Sequence, residues 1–513
     1  MFKAPGQAQG NSFKHLPNPY NGYDASSSPS AMKPTAANIL ENFWPDPAGL
    51  LVRDGFVLHH TILGSSAIKR LHNYASPLGG ESLWATTNAG IVNVTTAGSG
   101  AAVIMALTEG KTYSTAIATG AGNYLMLVNG VDTAKLYDGT TWTSILTFGA
   151  TSTVIYSYIE TYRQRIFLVK RNSTEIEYLA SNSIGGATTS YPLGALFRRG
   201  GYIVAMSTWT VDGGIGPEDN LCVMTNKGEV AVFAGSDPAT WALRGVYFAG
   251  RPLGNIPMYK YGGDVLLLTE SGVIPMSSLI QSASIDRTQT VSSQIRPFLI
   301  TSASLAFSAE GWQITSDPLK PYLLVNIPIT PVVKQALMQS QTGAWTTYTG
   351  WDAMHFMRMN GEMYFAGRGS NGLSIEIGVY RITGASDGGV NITATMLQSY
   401  NMLGLGQNKK IEMVKPFFKS TAAFTYNMGV ASDFDVAREY TQVSPGISAS
   451  AGIWGTSLFG AALWTGGQLI TSEYQEVPDD YSQWKALYLQ VVSRLGSVRY
   501  LGSDMLYKIG RHF

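Results

Sequence analysis

Apolar residues along this chain fall in short runs, each closed by a turn. Tyr124–Val128, Ile166–Val169, Ile203–Ser207, Leu221–Thr225, Glu229–Phe233, Val265–Thr269 and Tyr322–Ile327 are such runs. Between them stand Asn129-Gly130, Asp138-Gly139, Lys227-Gly228, Gly262-Gly263, Ser271-Gly272 and Asn360-Gly361. Asn-Gly and Asp-Gly pairs favour tight hairpins, because type I′ turns need positive φ at both central residues. No long stretch keeps a helical period. The pattern predicts an all-β, antiparallel protein.

One element recurs: an apolar strand, a polar turn, then Trp preceded by Thr or Ala. It ends at Trp142, Trp241 and Trp345, at intervals of about 100 residues. A four-stranded propeller blade takes about 40–50 residues, so each interval holds two blades. Residues 69–386 are therefore expected to form a β-propeller of about six blades, with seven as the alternative. A single blade cannot bury both faces, and a Trp between blades fills the widening wedge. Three ordinary hairpins ending in core Trp residues would leave the same spacing, as in a sandwich.

The two ends read differently. Residues 1–68 are rich in Gly, Pro, Asn and Ser through Ser30 and too polar for a core of their own. They are expected to form an extended N-terminal arm lying on the domain or on a neighbouring subunit. A short helix is predicted from Thr35, a capping residue, to Asn42, with Pro45 just beyond. From 387 the runs lengthen: Lys409–Ser420, Thr421–Asp433, Trp484–Arg494 and Val498–Gly510. Partial alternation over long strands fits a C-terminal β-sandwich domain, 387–513, with one face exposed. Gln442 to Gln468, rich in Gly, Ser, Trp and Leu, reads as an exposed loop or hairpin.

Composition narrows the class. Charged residues are 13% of the 513, about half the usual share, while hydrophobic residues reach 45%. Low charge suits a surface largely covered by neighbours. The net charge of +1 gives no whole-chain case for nucleic acid or membrane. Cys222, the one cysteine, excludes an internal disulfide and a cysteine-built zinc site, and its apolar run predicts a buried strand thiol. The N-terminal MFKAPGQAQGNSF lacks the apolar stretch of a signal peptide, and no run is long enough to span a bilayer, so cytosolic synthesis is expected.

Candidate chemistry is sparse. There is no phosphate-loop motif, no nucleophile elbow and no H-E-x-x-H, and no cofactor or metal is expected. His15, His59, His60, His72, His355 and His512 show no metal-ligand spacing; His59 and His60 would face opposite sides of a strand. Asp433 and Asp435 would share a strand face, but a calcium loop needs more oxygen ligands, so a solvated strand end is expected. Asp479-Asp480 reads as a turn, and Gly404-Leu405-Gly406 lacks a nucleotide-binding context. Asp138-Gly139-Thr140-Thr141-Trp142 approaches a sialidase Asp-box with the glycine out of register, and Asp237 to Trp241 lacks the glycine. A non-enzymatic protein is expected. Weak basic clusters occur at Arg163, Arg165, Lys170 and Arg171, at Arg198-Arg199 and at Lys409-Lys410. In a ring, Arg198, Arg199, Lys409 and Lys410 are the candidate DNA-channel contacts, acting on phosphates without sequence preference. Solvated turns are the plainer reading.

Several stretches resemble a family of tail proteins of short-tailed bacteriophages. They are Asn21-Gly22-Tyr23-Asp24-Ala25, Met32-Lys33-Pro34, Ala37, Leu40-Glu41-Asn42-Phe43 and Arg53-Asp54-Gly55; Leu193-Gly194, Leu196 to Gly201 and Ala205 to Trp209; Gly228 to Phe233, Gly235 to Pro238, Gly250 to Gly254 and Gly262-Gly263-Asp264; then Asp433-Phe434-Asp435 and Leu506 to Gly510. The likeness covers most of the chain in order. The layout is similar to the tail nozzle, or packaged-DNA-stabilising, proteins of these phages, which are propellers with an added β domain. That resemblance implies a homo-oligomeric ring, a hexamer, at the end of the virion tail below an adaptor ring under the portal. It implies contacts to tail fibres or spikes, packaged double-stranded DNA in the channel, genome ejection on opening, and no membrane insertion. A head or tail decoration protein without a channel, and a monomeric glycan-binding or glycan-cleaving propeller, are the alternatives.

Overall fold

The computed structural model describes residues 12–62, 67–212, 217–282, 290–317, 319–370, 374–404, 406–435, 439–445, 468–471 and 473–510. Most of the loop expected at Gln442–Gln468, and His512, lie outside them. The chain is all-β. Among the described residues α-helix is confined to Met276–Ser282 and Arg296–Ala306. None of it is long and apolar enough to cross a membrane. Tyr322–Ile327 is a strand with the expected bounds, and the other short runs are strands extended at one or both ends. The Asn360-Gly361 turn works as the sequence predicts: φ is 51° and 79°, and Met359 pairs with Glu362 across it.

The chain divides into a large unit, 57–335 with 351–382, and a small unit, 1–56 with 336–350 and 383–513. The large unit is a succession of antiparallel meanders. Sheet I is Ile68–Ala75, Glu81–Thr87, Gly90–Asn93 and Val103–Ala106; sheet II is Tyr113–Thr119, Gly122–Val128, Ala134–Tyr137 and Trp142–Ile145. Sheet III is Tyr156–Tyr162, Arg165–Lys170, Glu175–Tyr178 and Thr189–Pro192; sheet IV is Ile203–Asp212, Pro217–Thr225, Glu229–Ala234 and Ala242–Phe248. Sheet V is Met258–Tyr261, Asp264–Thr269 and Gly272–Pro275. Sheet VI begins with Gln313–Asp317 and Tyr322–Ile327, and the chain leaves along Lys334–Gln339. Sheet VII is Asp352–Met359, Glu362–Ser370 and Ile375–Ile382, completed by Phe56–Ile62 from the far end of the sequence. Each interval between the recurring Trp residues thus carries two of these meanders, and seven follow one another among the described residues, with the two-stranded pair Thr147–Phe148 and Thr151–Ser152 between II and III.

Apolar side chains join neighbouring sheets. Tyr74, Trp84 and Ile91 of sheet I meet Leu127, Tyr137 and Trp142 of sheet II, with Trp84 and Trp142 rings 5.3 Å apart. Trp241 stacks between Phe167 of sheet III (5.3 Å) and Phe233 of sheet IV (5.2 Å). Leu71, Leu83 and Val92 of sheet I share a core with Met359, Tyr364 and Val379 of sheet VII. The first strands of sheets II to VII touch in order, and that of VII packs on that of I. Cys222 lies fully buried in this interior, as its apolar run predicts.

The small unit has two sheets around one core. In the first, Val498–Ile509 pairs along one edge with Lys409–Ser420 and along the other with Gly49–Val52 and Ser12–Pro17. In the second, Ala37–Glu41, Ala394–Gln398, Lys485–Arg494 and Phe424–Ser432 lie side by side. Two expectations are corrected here. The helix over Thr35–Asn42 is a strand, Ala37–Glu41, paired with Gln398 to Thr395; Asn42 ends it in a left-handed turn at φ 60°. From Ser12 onward the expected arm is woven into the unit, and the boundary between units falls after Phe56 rather than at 68. Leu16, Leu40, Phe43, Leu50 and Val52 are too scattered to make a core alone, yet all enter this one.

Arg53 ties the small unit together. It is 2% exposed, and its Nη1 and Nη2 donate to the two Asp387 oxygens at 2.8 and 2.6 Å. Its Nε donates to Asn42 Oδ1 at 2.8 Å, and Asn42 Nδ2 in turn donates to Thr393 O. Arg494 donates to the Arg53 carbonyl. Gly55 has no room for a Cβ against the Ser386 backbone. Removing one partner of a buried ion pair leaves the other charge uncompensated, at a cost of about 3–5 kcal/mol. Asp387→Ala is therefore expected to lower unfolding free energy by that amount in urea titration.

Candidate functional site

Residues on and beside the first strands of sheets I, II, III, V, VI and VII line a cavity of about 380 Å³. Arg70 and His72 come from sheet I, Tyr113 and Ser114 from sheet II, and Tyr158 from sheet III. Tyr259 comes from sheet V, Gln313 and Ser316 from sheet VI, and His355 and Arg358 from sheet VII. Leu71, between Arg70 and His72, belongs to the core shared with sheet VII.

Most of the polar lining is satisfied. His72 Nδ1 meets Ser114 Oγ at 2.8 Å and Nε2 meets Thr112 Oγ1 at 2.7 Å. The Leu71 N–H donates to His355 Nδ1 at 3.2 Å. Gln313 forms a closed pair with the Phe356 backbone, donating to its O and accepting from its N–H at 2.9 and 2.8 Å. Tyr259 and Ser316 hydroxyls lie 2.8 Å apart. Burial, and then the Arg70 charge, hold His72 down to about 3 and His355 well below its usual range, so both rings are neutral. Glu160, two residues beyond Tyr158 on the same strand face, is pushed up to about 8 by burial, against the pull of Lys260.

The residues expected to contact DNA do not gather into this site. Arg198 and Arg199 are exposed, and their backbone N–H groups are held by the Glu229 carboxylate at 3.0 and 2.9 Å. The Arg199 guanidinium lies 3.7 Å over the Phe248 ring. In the small unit Lys409 is 1% exposed and its ammonium donates to Gln407 O, so burial withdraws it from the expected contacts. Lys410 reaches a surface pocket also lined by Asp435, Glu439, Asp479 and Asp480, which is poor company for a phosphate. Arg165 pairs with Asp237, and Lys170 with Glu175 and Glu177.

Two carboxylate readings change. Asp433 and Phe434 turn left-handed at φ 45° and 67°, so Asp433 and Asp435 do not share a strand face. Asp433 instead accepts the Gln483 and Trp484 N–H groups. Asp479 is buried against Lys485, Nζ to Oδ2 2.6 Å, with both side chains almost wholly covered. No group of three or more His, Cys, Asp or Glu with metal-binding geometry occurs among the described residues. Arg70, Tyr113, Tyr259 and Arg358 carry no motif that singles them out in the sequence. The signal available was a polar residue within or at the start of the first strand of most of the sheets.

No family model and no curated protein sequence matches the chain. Among solved structures it is similar to a functionally unknown protein from Desulfotomaculum acetoxidans, at 12% identity and a TM-score of 0.35, over 56% of this chain and 90% of that one. A likeness at that level carries no argument.

His72 in the cavity and Glu160 on the strand Tyr156–Tyr162 make stability depend on pH in opposite senses. The Glu160 carboxyl moves from 4.5 to about 8 on folding, so between those values the folded chain keeps a proton that the unfolded chain has lost. Stability from this group is full below 4.5 and lost as pH rises through 8. His72 falls from 6.5 to about 3, so its contribution is full above 6.5 and lost as pH falls through 3. Urea titrations across pH 4–9 are expected to show Glu160→Gln flattening the loss at rising pH. His72→Gln should flatten the acid limb. Neither slope should exceed about 1.4 kcal/mol per pH unit.

Proposed function

We propose that this chain is a structural virion protein, a subunit of the nozzle ring of a short phage tail, built from a seven-bladed β-propeller and a β-sandwich. The propeller reading is supported by seven meanders in sequence order, by first strands that touch in that order, and by the packing of sheet VII on sheet I. Phe56–Ile62 in the last sheet would close the ring with backbone hydrogen bonds. The sandwich reading rests on the two sheets of the small unit sharing one core.

The observation that carries the functional reading is where the resembling stretches fall. They sit at joints of the fold. The Tyr23 N–H donates to Trp345 O, and Gly22 has no room for a side chain against the Trp345 backbone. Asn42 and Arg53 belong to the buried network described above. Glu229 holds the Arg198-Arg199 turn, and Gly228 packs without a side chain against Gly250. Asp264 accepts from Ser277 N and Oγ at the start of the helix Met276–Ser282. Tyr507 donates to Leu403 O. Motifs made of joints describe a shared scaffold rather than a shared reaction, and the resembling family is one of scaffolds.

Function then follows from assembly. A rigid propeller exposes only short strand edges, and a head-to-tail contact that closes yields a ring. Six subunits below an adaptor ring would narrow the DNA path and open it on host contact. Exposed Arg198 and Arg199 remain the candidates to meet DNA phosphates. Negative-stain images of virions carrying this chain are expected to show a six-fold ring at the tail tip, decorated by antibody to the chain. A monodisperse monomer that binds host polysaccharide and is missing from virions would overturn the reading.

A further inference from the structure

The large-unit cavity holds one charge that its own side chains leave uncompensated. Arg70 is 4% exposed. A guanidinium does not deprotonate in a protein, so its charge cannot be relieved by losing a proton as those of the neighbouring histidines are. Its Nη1 donates to Lys69 O at 3.3 Å and it hydrogen-bonds to the Tyr113 hydroxyl, while its Nε–H has no partner. Among the described residues it makes no ion pair. Of the acidic groups around Tyr113, Glu310 is held by both Lys69 and Lys111, and Glu109 accepts from the Lys111 N–H. On the same cavity wall Arg358 has an Nε–H without a hydrogen bond, and its nearest carboxylate contact, Asp317, is at 3.8 Å.

We propose that this cavity binds a small oxyanion, a carboxylate or phosphate group on a molecule no larger than a monosaccharide, with Arg70 as its charge partner and Arg358 as a second donor. The volume suits that size, at the lower end of the range for small-molecule sites. The guanidinium presents paired donors matched to planar carboxylates and to phosphates. Tyr113 and Tyr158, rings 4.9 Å apart, give the site an apolar wall. His72 and His355, already occupied by hydrogen bonds, frame the pocket without adding charge. The inference stands on the cavity alone and holds whether or not the chain assembles into a ring.

Inorganic phosphate and malonate are the probes, titrated calorimetrically into the purified full chain, with sodium chloride at matched ionic strength as control. The expected result is saturable binding of one anion per chain by at least one probe, at least tenfold weaker in Arg70→Met and measurably weaker in Arg358→Gln. Native mass spectrometry should show the same unit stoichiometry. If Arg70→Met does not fold, Arg358→Gln decides, because its side chain is one-third exposed and its contact to Asp317 is long at 3.8 Å. Two results overturn the proposal: no binding of either probe above the chloride control, or affinity unchanged in Arg358→Gln and in any Arg70 variant that folds.

Discussion

A short antiparallel meander has two faces to cover and cannot cover either alone, and this constraint organises the large unit. Sheet II buries Leu127 and Trp142 against sheet I but Ile117 and Met126 with Ile159 and Ile166 of sheet III. Every interior sheet therefore needs a neighbour on each side, and the first and last sheets would be left half bare. The core that joins Leu71 and Val92 to Tyr364 and Val379 covers those two faces with each other. Bringing Phe56–Ile62 back to complete sheet VII puts early and late sequence into one sheet. Sheet VII is thereby joined by backbone hydrogen bonds as well as by apolar contact.

The small unit solves the same problem with fewer sheets and depends on sequence that looks unfit for a core. Between Ser12 and Ser30 apolar residues are few, and beyond it they are scattered among polar turns. This segment's apolar side chains enter the core, and polar contacts fix the chain around them: Asn42 in a left-handed turn, the Arg53–Asp387 pair, and Arg494 on the Arg53 carbonyl. A bidentate pair buried this deeply fixes geometry more than it adds stability, since its desolvation offsets much of its attraction. Its consequence is register. With Arg53 anchored, Gly49–Val52 meets Val498–Ile509, and Leu50 and Val52 face inward.

The strands and their class were legible from the sequence because alternation and Gly turns act locally. Tyr322–Ile327 and the Asn360-Gly361 hairpin needed no distant partner to be recognised. The strand at Ala37–Glu41 was not legible: Thr35 and Pro45 offer local helix signals, and distant pairing with Thr395 to Gln398 overrides them. Trp spacing pointed to two sheets per interval, but it could not reveal that Phe56–Ile62 belongs with the strands of residues 352–382. Lys409 and Lys410 looked equivalent in sequence, and strand alternation alone separates the buried one from the accessible one. The cavity was hidden for the same reason. His72 and His355 become neighbours only when the last sheet meets the first.

Converging first strands leave space at their centre in any such arrangement, because side chains pointing inward from several directions cannot interdigitate as those between two faces do. A polar lining there follows from geometry, since water or hydroxyl partners can satisfy histidine, tyrosine and glutamine. His72, Gln313 and Tyr259 fit that account, each with its partners in place. Arg70 does not. A lysine at its position could lose its proton as burial deepened, and a glutamine could bond as Gln313 does; an arginine keeps its charge. Glu310 spends its carboxylate on two lysines rather than on Arg70. A permanent charge kept apart from the acids around it, in a space wide enough for a ligand, is the one feature of the cavity that the fold itself does not require.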